Sequence, residues 1–183
     1  YNGLFKCATD FDCHDLAGDP KVGTNGVCSN AKTKLFRDWA RLPEYKTMQR
    51  RFQTYYKEND NKYPELKSGT YIPGYTVSMW SSWGALGKMV NGLPTDKINK
   101  WVGCIDAKAD KQTCWNAASS TFSCPNFASV YEYEFVSSTK KYMFHGLLEY
   151  FALTSEVAKD FIDDTYFSTA RGCEPNAVYS PFG

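Results

Sequence analysis

The sequence predicts an α+β fold in which one main amphipathic helix packs on a small antiparallel sheet, with long disulfide-braced loops around both. Three observations carry this prediction: an apolar pattern of helical period that ends near Asn59, an alternating pattern from Tyr131 to Phe135, and seven cysteines in 183 residues. A chain of this length corresponds to one domain, and its 16% of aromatic residues supplies enough apolar surface for a buried core.

The main helix is predicted from apolar side chains that recur every three or four residues and therefore share one helix face. Pro43 interrupts the pattern, so the helix either begins there, with proline in its first turn, or is kinked there. The helix is expected to end near Asn59, because residues 59–62 are polar and Tyr63-Pro64 cannot continue it. The apolar positions are Leu35, Trp39, Leu42, Tyr45, Met48, Phe52, Tyr55 and Tyr56.

A β-hairpin is predicted late in the chain. Tyrosine and phenylalanine alternate with Glu132 and Glu134, and residues 137–140 form a turn before a second strand over 142–148. The two glutamates share a strand face, which is interpreted as the solvated face. The competing interpretation, an acid pair of a glycoside hydrolase drawn from these two and Glu149, is less economical. Residues 155–163 predict a short final helix.

The stretch from residue 68 to residue 101 is rich in glycine, proline, serine and tryptophan, which is typical of loops. A short helix is predicted over 83–90. Tryptophan is mostly buried in compact domains, so this stretch is expected to pack on the core. The alternative is that exposed indoles stack on sugars, and the candidate binding residues are then Trp80, Trp83, Trp101 and Trp115.

The cysteines indicate structural disulfides and an extracellular or other oxidising location. Metal sites need short paired spacings with histidine nearby, and the sequence has none. Local closure joins Cys7 to Cys13 or Cys28, and joins two of the three middle cysteines. Seven is odd, so one thiol is free or bridges to another chain. The disulfide candidates are Cys7, Cys13, Cys28, Cys104, Cys114, Cys124 and Cys173.

The net charge and the hydropathy of the sequence limit the classes of partner that the protein is expected to bind. The net charge of +1 gives no general attraction to nucleic acid or to an anionic membrane. A basic run from Lys32 to Arg51 is interpreted as a solvated helix face, with a nucleic-acid patch as the less favoured alternative. No apolar stretch approaches the roughly 18–20 residues that cross a bilayer, so no membrane span is predicted in this chain.

Catalytic motifs are missing from the sequence. It contains no G-x-S-x-G, no H-E-x-x-H and no phosphate loop, and its two histidines are His14 and His145. His145 lies in a predicted strand and is interpreted as a structural histidine. We therefore predict no catalytic residues and no enzymatic activity.

Three segments occur in an order that resembles the globular part of bacterial type IV pilins and type II secretion pseudopilins. They are "MQRRFQTYYKENDNKYP", "GLPTDKINKW" and "VYEYEFVSSTKKYMFHGLLE". The second is similar to the Leu-Pro-x-Asp-Pro-x-Asn segment of that family, with Lys97 where proline is usual. The match covers roughly residues 36–150, so the chain divides into a cysteine-containing N-terminal extension, 1–31, and a pilin-like globular domain with a C-terminal tail, 32–183.

The resemblance implies a non-enzymatic, extracellular structural subunit of a surface filament or a secretion or adhesion apparatus. Such a subunit self-assembles into a homo-oligomer through its helix and terminal segments. This chain departs from the family in two places: the cysteine-containing residues 1–31 stand where the family has its apolar anchoring helix, and Pro43 falls inside what should be a continuous helix. The tail over 151–183 has no counterpart in the family, and both it and residues 1–31 are expected to reach a neighbouring subunit. The alternative function is a secreted adhesin or glycan-binding module that uses exposed aromatics.

The resemblance also implies one cofactor. Some pseudopilins hold Ca²⁺ in the loop ahead of the hairpin, and oxygen-bearing side chains cluster in sequence at that point. The candidate ligands are Asp96, Asn99, Asp106 and Asp110.

Overall fold

The computed structural model describes residues 31–66, 71–151, 155–163 and 165–180. These residues form three helices and nine short strands. The helices are α1 (Ala31–Glu58), α2 (Ser81–Met89) and α3 (Glu156–Lys159). The strands are β1 (Tyr75–Val77), β2 (Lys100–Val102), β3 (Trp115–Asn116), β4 (Thr121–Ser123), β5 (Phe127–Ser129), β6 (Glu132–Val136), β7 (Lys141–His145), β8 (Phe167–Ser168) and β9 (Val178–Tyr179).

The strands form three small sheets. The largest has the order β1-β6-β7-β8, and the other two are β2-β5 and β3-β4-β9. All pairs are antiparallel except β7 with β8, where Phe144 lies opposite Phe167 in a parallel register. The predicted combination of one main helix with small, mainly antiparallel sheets is therefore observed.

The apolar face of α1 packs across the β6–β7 hairpin. The ring of Phe52 lies 5.0 Å from that of Tyr133 and 4.9 Å from those of Tyr142 and Phe144. Burying a side chain of this size stabilises the fold by about 1.5–3 kcal/mol. The buried apolar residues of α1, which follow the predicted spacing, are Leu42, Tyr45, Met48 and Phe52.

Pro43 lies inside α1, so the alternative in which the helix begins at Pro43 is wrong. Proline has no N–H, so the carbonyl of Trp39 loses its usual helical donor, but the helix continues through this turn. The hydroxyl of Thr47 donates to the carbonyl of Pro43 at 2.8 Å.

The end of α1 at Glu58 confirms the predicted boundary near Asn59. The N–H of Asn61 donates to the carbonyl of Tyr56 at 3.0 Å, and Asn61 has a φ of +57°. This left-handed residue closes the last turn and redirects the chain. The ring of Tyr63 then lies 4.6 Å from that of Tyr56, which returns the chain to the core.

A second core lies beyond β1, away from α1. The ring of Phe122 lies 5.0 Å from that of Trp80 and 5.7 Å from that of Trp101. Two disulfides border this cluster, Cys104–Cys114 and Cys124–Cys173, which span sequence separations of 10 and 49 residues. Disulfides are typical of proteins in oxidising compartments.

The C-terminal tail folds back onto its own chain over 155–163 and 165–180. β8 extends the largest sheet and β9 pairs with β4. The Cys124–Cys173 disulfide fixes the tail between these two strands. The predicted final helix is shorter than expected; Ser155 caps it by accepting from the N–H of Ala158 at 3.2 Å.

Candidate functional site at the start of the main helix

Four buried charged side chains and the partly buried Glu149 meet where the start of α1 contacts the loop ahead of β2 and the segment that follows β7. Arg41 donates to both carboxylate oxygens of Asp96, at 2.7 and 3.1 Å. Arg37 donates to both oxygens of Glu149, at 2.5 and 2.6 Å. The Nη1 of Arg41 donates to Oδ1 of Asp38 at 3.1 Å and to Oε2 of Glu149 at 2.6 Å. We call Arg37, Asp38, Arg41, Asp96 and Glu149 the charge clamp.

Asp38 also binds the backbone of the opposite segment. One of its oxygens accepts from three successive N–H groups, those of Glu149, Tyr150 and Phe151, at 3.0, 2.7 and 3.1 Å. Hydrogen bonds to an ionised acceptor are among the stronger ones in proteins. Asp38 therefore fixes the chain that leaves the hairpin against the first turns of α1.

Burial and ion pairing shift the pKa values of the charge clamp in opposite directions, and the ion pairs have the larger effect. Burial alone would lower the pKa of the Arg41 guanidinium, but Asp96 and Glu149 hold it well above its usual value. Burial would likewise raise the pKa of Glu149, but Arg37 and Arg41 hold it below its usual value. Because each carboxylate of the clamp is engaged by donors, the arrangement is suited to joining elements and not to proton transfer.

An exposed group of aromatic side chains lies next to the charge clamp. Phe36 and Trp39 are three residues apart on α1, and 40% and 49% of their surfaces are exposed. The ring of Phe151 lies 5.9 Å from that of Trp39 and 5.4 Å from that of Tyr150, which is itself 52% exposed. We call these four residues the aromatic surface. Aromatic side chains are enriched at protein interfaces relative to the rest of the surface.

The charge clamp corrects the interpretation of the basic run. The basic run predicts a solvated helix face for Arg37 and Arg41, but both are fully buried. The sequence held a signal for this: Asp38, Arg41, Tyr45 and Met48 continue one helical stripe, so two of these charged residues fall on the period of the core. Charged residues at core positions predict buried partners.

The four predicted calcium ligands are not brought together. Asp96 belongs to the charge clamp, where it also accepts from the N–H of Ile98 at 2.8 Å. The side-chain oxygen of Asn99 accepts from the hydroxyl of Ser78 at 2.6 Å. Both positions are occupied by protein donors, which a metal ion would have to displace.

The other two candidates serve turns of the disulfide-braced loop. Asp106 accepts from the N–H of Lys108 and from the side chain of Asn116. Asp110 accepts from the N–H and hydroxyl groups of Thr113, at 2.8 and 2.9 Å. These hydrogen bonds hold the pKa values of both carboxyls below the usual range. Over the described ranges, no group of three or more histidine, cysteine or acidic side chains is placed to hold a metal ion.

The candidate sugar-binding tryptophans do not form an exposed surface. Trp80, Trp83 and Trp101 are only 3–4% exposed, because the segment that carries them, which includes α2 and β2, packs on the two cores, as the tryptophan content predicted. Trp115 is half-buried, with its ring 5.0 Å from that of Tyr71. For Trp80, Trp83 and Trp101 the prediction of an exposed binding face is therefore wrong.

The disulfide predictions are confirmed in part. Cys104 pairs with Cys114, which are two of the three middle cysteines, but the pairing of Cys124 with Cys173 was not predicted. Sequence spacing favours disulfides between cysteines that are close in the chain. The Cys124–Cys173 disulfide instead forms because the C-terminal segment pairs with β4. The remaining candidates, Cys7, Cys13 and Cys28, lie outside the described residues.

Glu132 and His145 lie on the face of the hairpin that the C-terminal segment covers, so neither is exposed to solvent. Glu132 was assigned to the solvated face but is only 3% exposed, because residues 170–173 cover that side of β6. His145 contacts the carbonyl of Ala170 at 3.0 Å and the carboxylate of Glu134 at 3.1 Å. Both ring nitrogens are thus engaged, which agrees with the predicted structural role.

No helix in the part of the chain that the structure describes is long and apolar enough to span a membrane. Comparisons with models of protein families, with curated proteins and with solved structures find no match.

Proposed function

We propose that the protein is a non-enzymatic structural subunit that associates with further copies of itself outside the cell, in a surface filament or in a secretion or adhesion apparatus. The observation that supports this most directly is the aromatic surface at the start of α1. The resemblance of residues 36–150 to pilin-like domains supports the same role.

The occupant that we propose for the aromatic surface is a second copy of this chain. Aromatic side chains are enriched at the centres of protein interfaces, and Phe36, Trp39 and Tyr150 each expose at least two fifths of their surface. The charge clamp holds both segments that carry them, so association requires little reordering. The net charge of +1 leaves almost no repulsion between copies.

We propose that the aromatic surface contacts a different face of the next copy. A contact between the aromatic surface and a different face of the next copy repeats from copy to copy, and it produces an open filament unless the rotation closes a ring. Two disulfides among the described residues suit a subunit that works in an oxidising environment.

The test compares the oxidised 183-residue chain with substituted chains by sedimentation velocity and negative-stain electron microscopy. Trp39→Ser is expected to weaken self-association at least tenfold, or about 1.4 kcal/mol, because it removes an exposed anchor. Met89→Ser is the matched control, since Met89 is 45% exposed on α2, outside the aromatic surface. Dispersed monomers of the unsubstituted chain, or equal effects of the two substitutions, would contradict the proposal.

A further inference from the structure

Residues 168–172, which begin at the last residue of β8, cover the face of the hairpin that points away from α1. His145 lies on that face, because its neighbour Phe144 contacts Phe52 of α1 and side chains alternate along a strand. We call residues 168–172 the C-terminal strap. β8 pairs with β7 at one end of the strap, and the Cys124–Cys173 disulfide anchors the other end. The contacts between these ends therefore decide how firmly the strap stays on the sheet.

The ring of His145 lies between two oxygen atoms that accept hydrogen bonds and cannot donate them. Its Nδ1 is 3.0 Å from the carbonyl oxygen of Ala170 in the strap, and its Nε2 is 3.1 Å from a carboxylate oxygen of Glu134 on β6. A neutral imidazole has one N–H and donates to only one of these oxygens, whereas the imidazolium has two and donates to both. Both hydrogen bonds are therefore formed only when His145 is protonated.

The charged groups around the ring come from several elements. Glu132 lies directly opposite His145 in the β6–β7 ladder, so with Glu134 it places two carboxyl groups beside the ring. Burial raises the pKa of Glu132 and the charge of His145 opposes this rise, and the same attraction favours the charged ring. Arg171 in the strap and the exposed Lys141 repel that charge. The ionisable side chains on this face from β1, β6, β7 and the strap are Tyr75, Glu132, Glu134, Lys141 and Arg171.

The other contacts of the strap are also individual hydrogen bonds. The N–H of Gly172 donates to Glu132 at 2.8 Å, and a Cβ at this glycine would lie 2.9 Å from Cδ2 of His145, so the backbone lies directly against the ring. At the start of the strap, the N–H of Gly146 donates to the carbonyl of Ser168 at 3.1 Å. Because the strap depends on single bonds of this kind, the loss of one donor of His145 weakens its attachment.

We propose that the C-terminal strap is a pH-sensitive element, closed onto the hairpin while His145 is protonated and loosened as the pH rises through about 5–8, the range in which histidine changes charge. The charged ring joins Ala170 to Glu134, and the neutral ring keeps only one of these two contacts. Ten per cent of the side-chain surface of His145 remains accessible, so protons reach the ring. Opening of the strap would expose Glu132 to water. The inference does not depend on self-association.

The test is amide hydrogen exchange on the oxidised chain at about pH 5.5 and about pH 8, corrected for the intrinsic exchange rate at each pH. The amides of Gly146 and Gly172 report on the strap, and those of α1 report on global unfolding. The two glycine amides are expected to be protected about tenfold less at the higher pH, since one charged hydrogen bond is lost. The proposal is overturned if they lose no more protection than the amides of α1.

A pair of matched substitutions then assigns the effect to the ring. In Glu134→Gln, the side-chain amide can donate to an unprotonated Nε2 while Nδ1–H donates to Ala170, so the neutral ring keeps both contacts. The loss of protection is expected to shrink to less than about twofold. Glu132→Gln makes the same chemical change beside the ring but leaves both ring contacts, and the loss is expected to remain about tenfold. Retention of the full loss in Glu134→Gln, or its disappearance in Glu132→Gln, would also overturn the proposal.

Discussion

Two halves of this molecule are stabilised in different ways. In the helix region, which we define as α1 with β6 and β7, a continuous aromatic core packs beneath one long helix and the charge clamp closes one end. In the cystine region, which we define as β2–β5 with β9, strands of two or three residues surround a smaller core between two disulfides. The helix region is held together by regular secondary structure. The cystine region is held together by its two disulfides.

The difference shows how burial and cross-linking substitute for one another. A helix of 28 residues presents enough side chains to build a core without covalent help. Strands of two or three residues form few ladder hydrogen bonds, so their loops need constraints that lower the entropy of the unfolded chain. The two regions are therefore expected to fail under different perturbations.

The largest effect is expected from Arg41→Met in the helix region. The substitution leaves the buried Asp38 and Asp96 and the partly buried Glu149 with one fewer cation, and breaking a buried ion pair typically costs about 3–5 kcal/mol. Urea denaturation measures this loss. Lys97→Met is the control, because its pair with Glu44 is partly exposed, and a loss below about 1 kcal/mol is expected. Similar losses for both variants would show that the charge clamp does not stabilise the helix region.

Removal of each disulfide is expected to weaken the cystine region. Replacing Cys124 and Cys173 by alanine opens the longer loop, and chain entropy predicts a cost of about 4 kcal/mol against about 2.7 kcal/mol for Cys104 with Cys114. Hydrogen exchange should rise over β3, β4 and β9 while α1 remains protected. Equal loss of protection in α1 would mean that the two regions unfold as one unit.

The difference between the helix region and the cystine region also explains which elements could be predicted from the sequence. The end of α1, its buried stripe and the hairpin over 131–145 follow from periodic patterns that depend on local residues. The cystine region has no such period, so its strands and the Cys124–Cys173 bridge were not predicted. Their pairing depends on contacts between residues that are distant in sequence, which spacing alone does not specify.

The candidate site was predicted least well. Arg37 and Arg41 were read as surface charges because they lie in a basic run, and their partners Asp96 and Glu149 are more than 50 residues away. Glu132 was assigned to a solvated face because the alternation of β6 is regular, whereas the returning tail covers it. In each case the residue lies in the predicted helix or strand, but a segment distant in the chain buries its side chain.

A pH experiment sharpens the comparison, because two glutamates are expected to respond with opposite sign. Glu149 in the charge clamp has a lowered pKa, so its stabilising contribution is present above about pH 4.5, its usual value, and is lost as the pH falls through the folded value. Burial raises the pKa of Glu132, so its contribution is present below about pH 4.5 and is lost as the pH rises.

Glu149→Gln should therefore flatten the acid side of the stability profile, and Glu132→Gln should flatten the side above about pH 4.5. A single group changes the slope by at most about 1.36 kcal/mol per pH unit. Free energies of unfolding measured from pH 3 to 7 for both variants, roughly at unit steps, provide the comparison. Changes of the same sign for both would contradict the assignment of one glutamate to ion pairs and the other to burial.

The smallest effect is expected at the end of α1, where two left-handed residues, Asp60 and Asn61, stop the helix. Asn61 has a φ of +57°, a region that costs most side chains roughly 1–2 kcal/mol but that asparagine and glycine adopt readily. Asn61→Ala should therefore destabilise the chain by about 1 kcal/mol, and Asn61→Gly should be nearly neutral. Thermal unfolding of the two variants separates conformational cost from loss of the side chain, since both remove the amide. Equal losses for alanine and glycine would assign the effect to the amide. A loss confined to alanine would show that even this boundary of the helix region is set by local backbone chemistry, in contrast to the cross-linked loops of the cystine region.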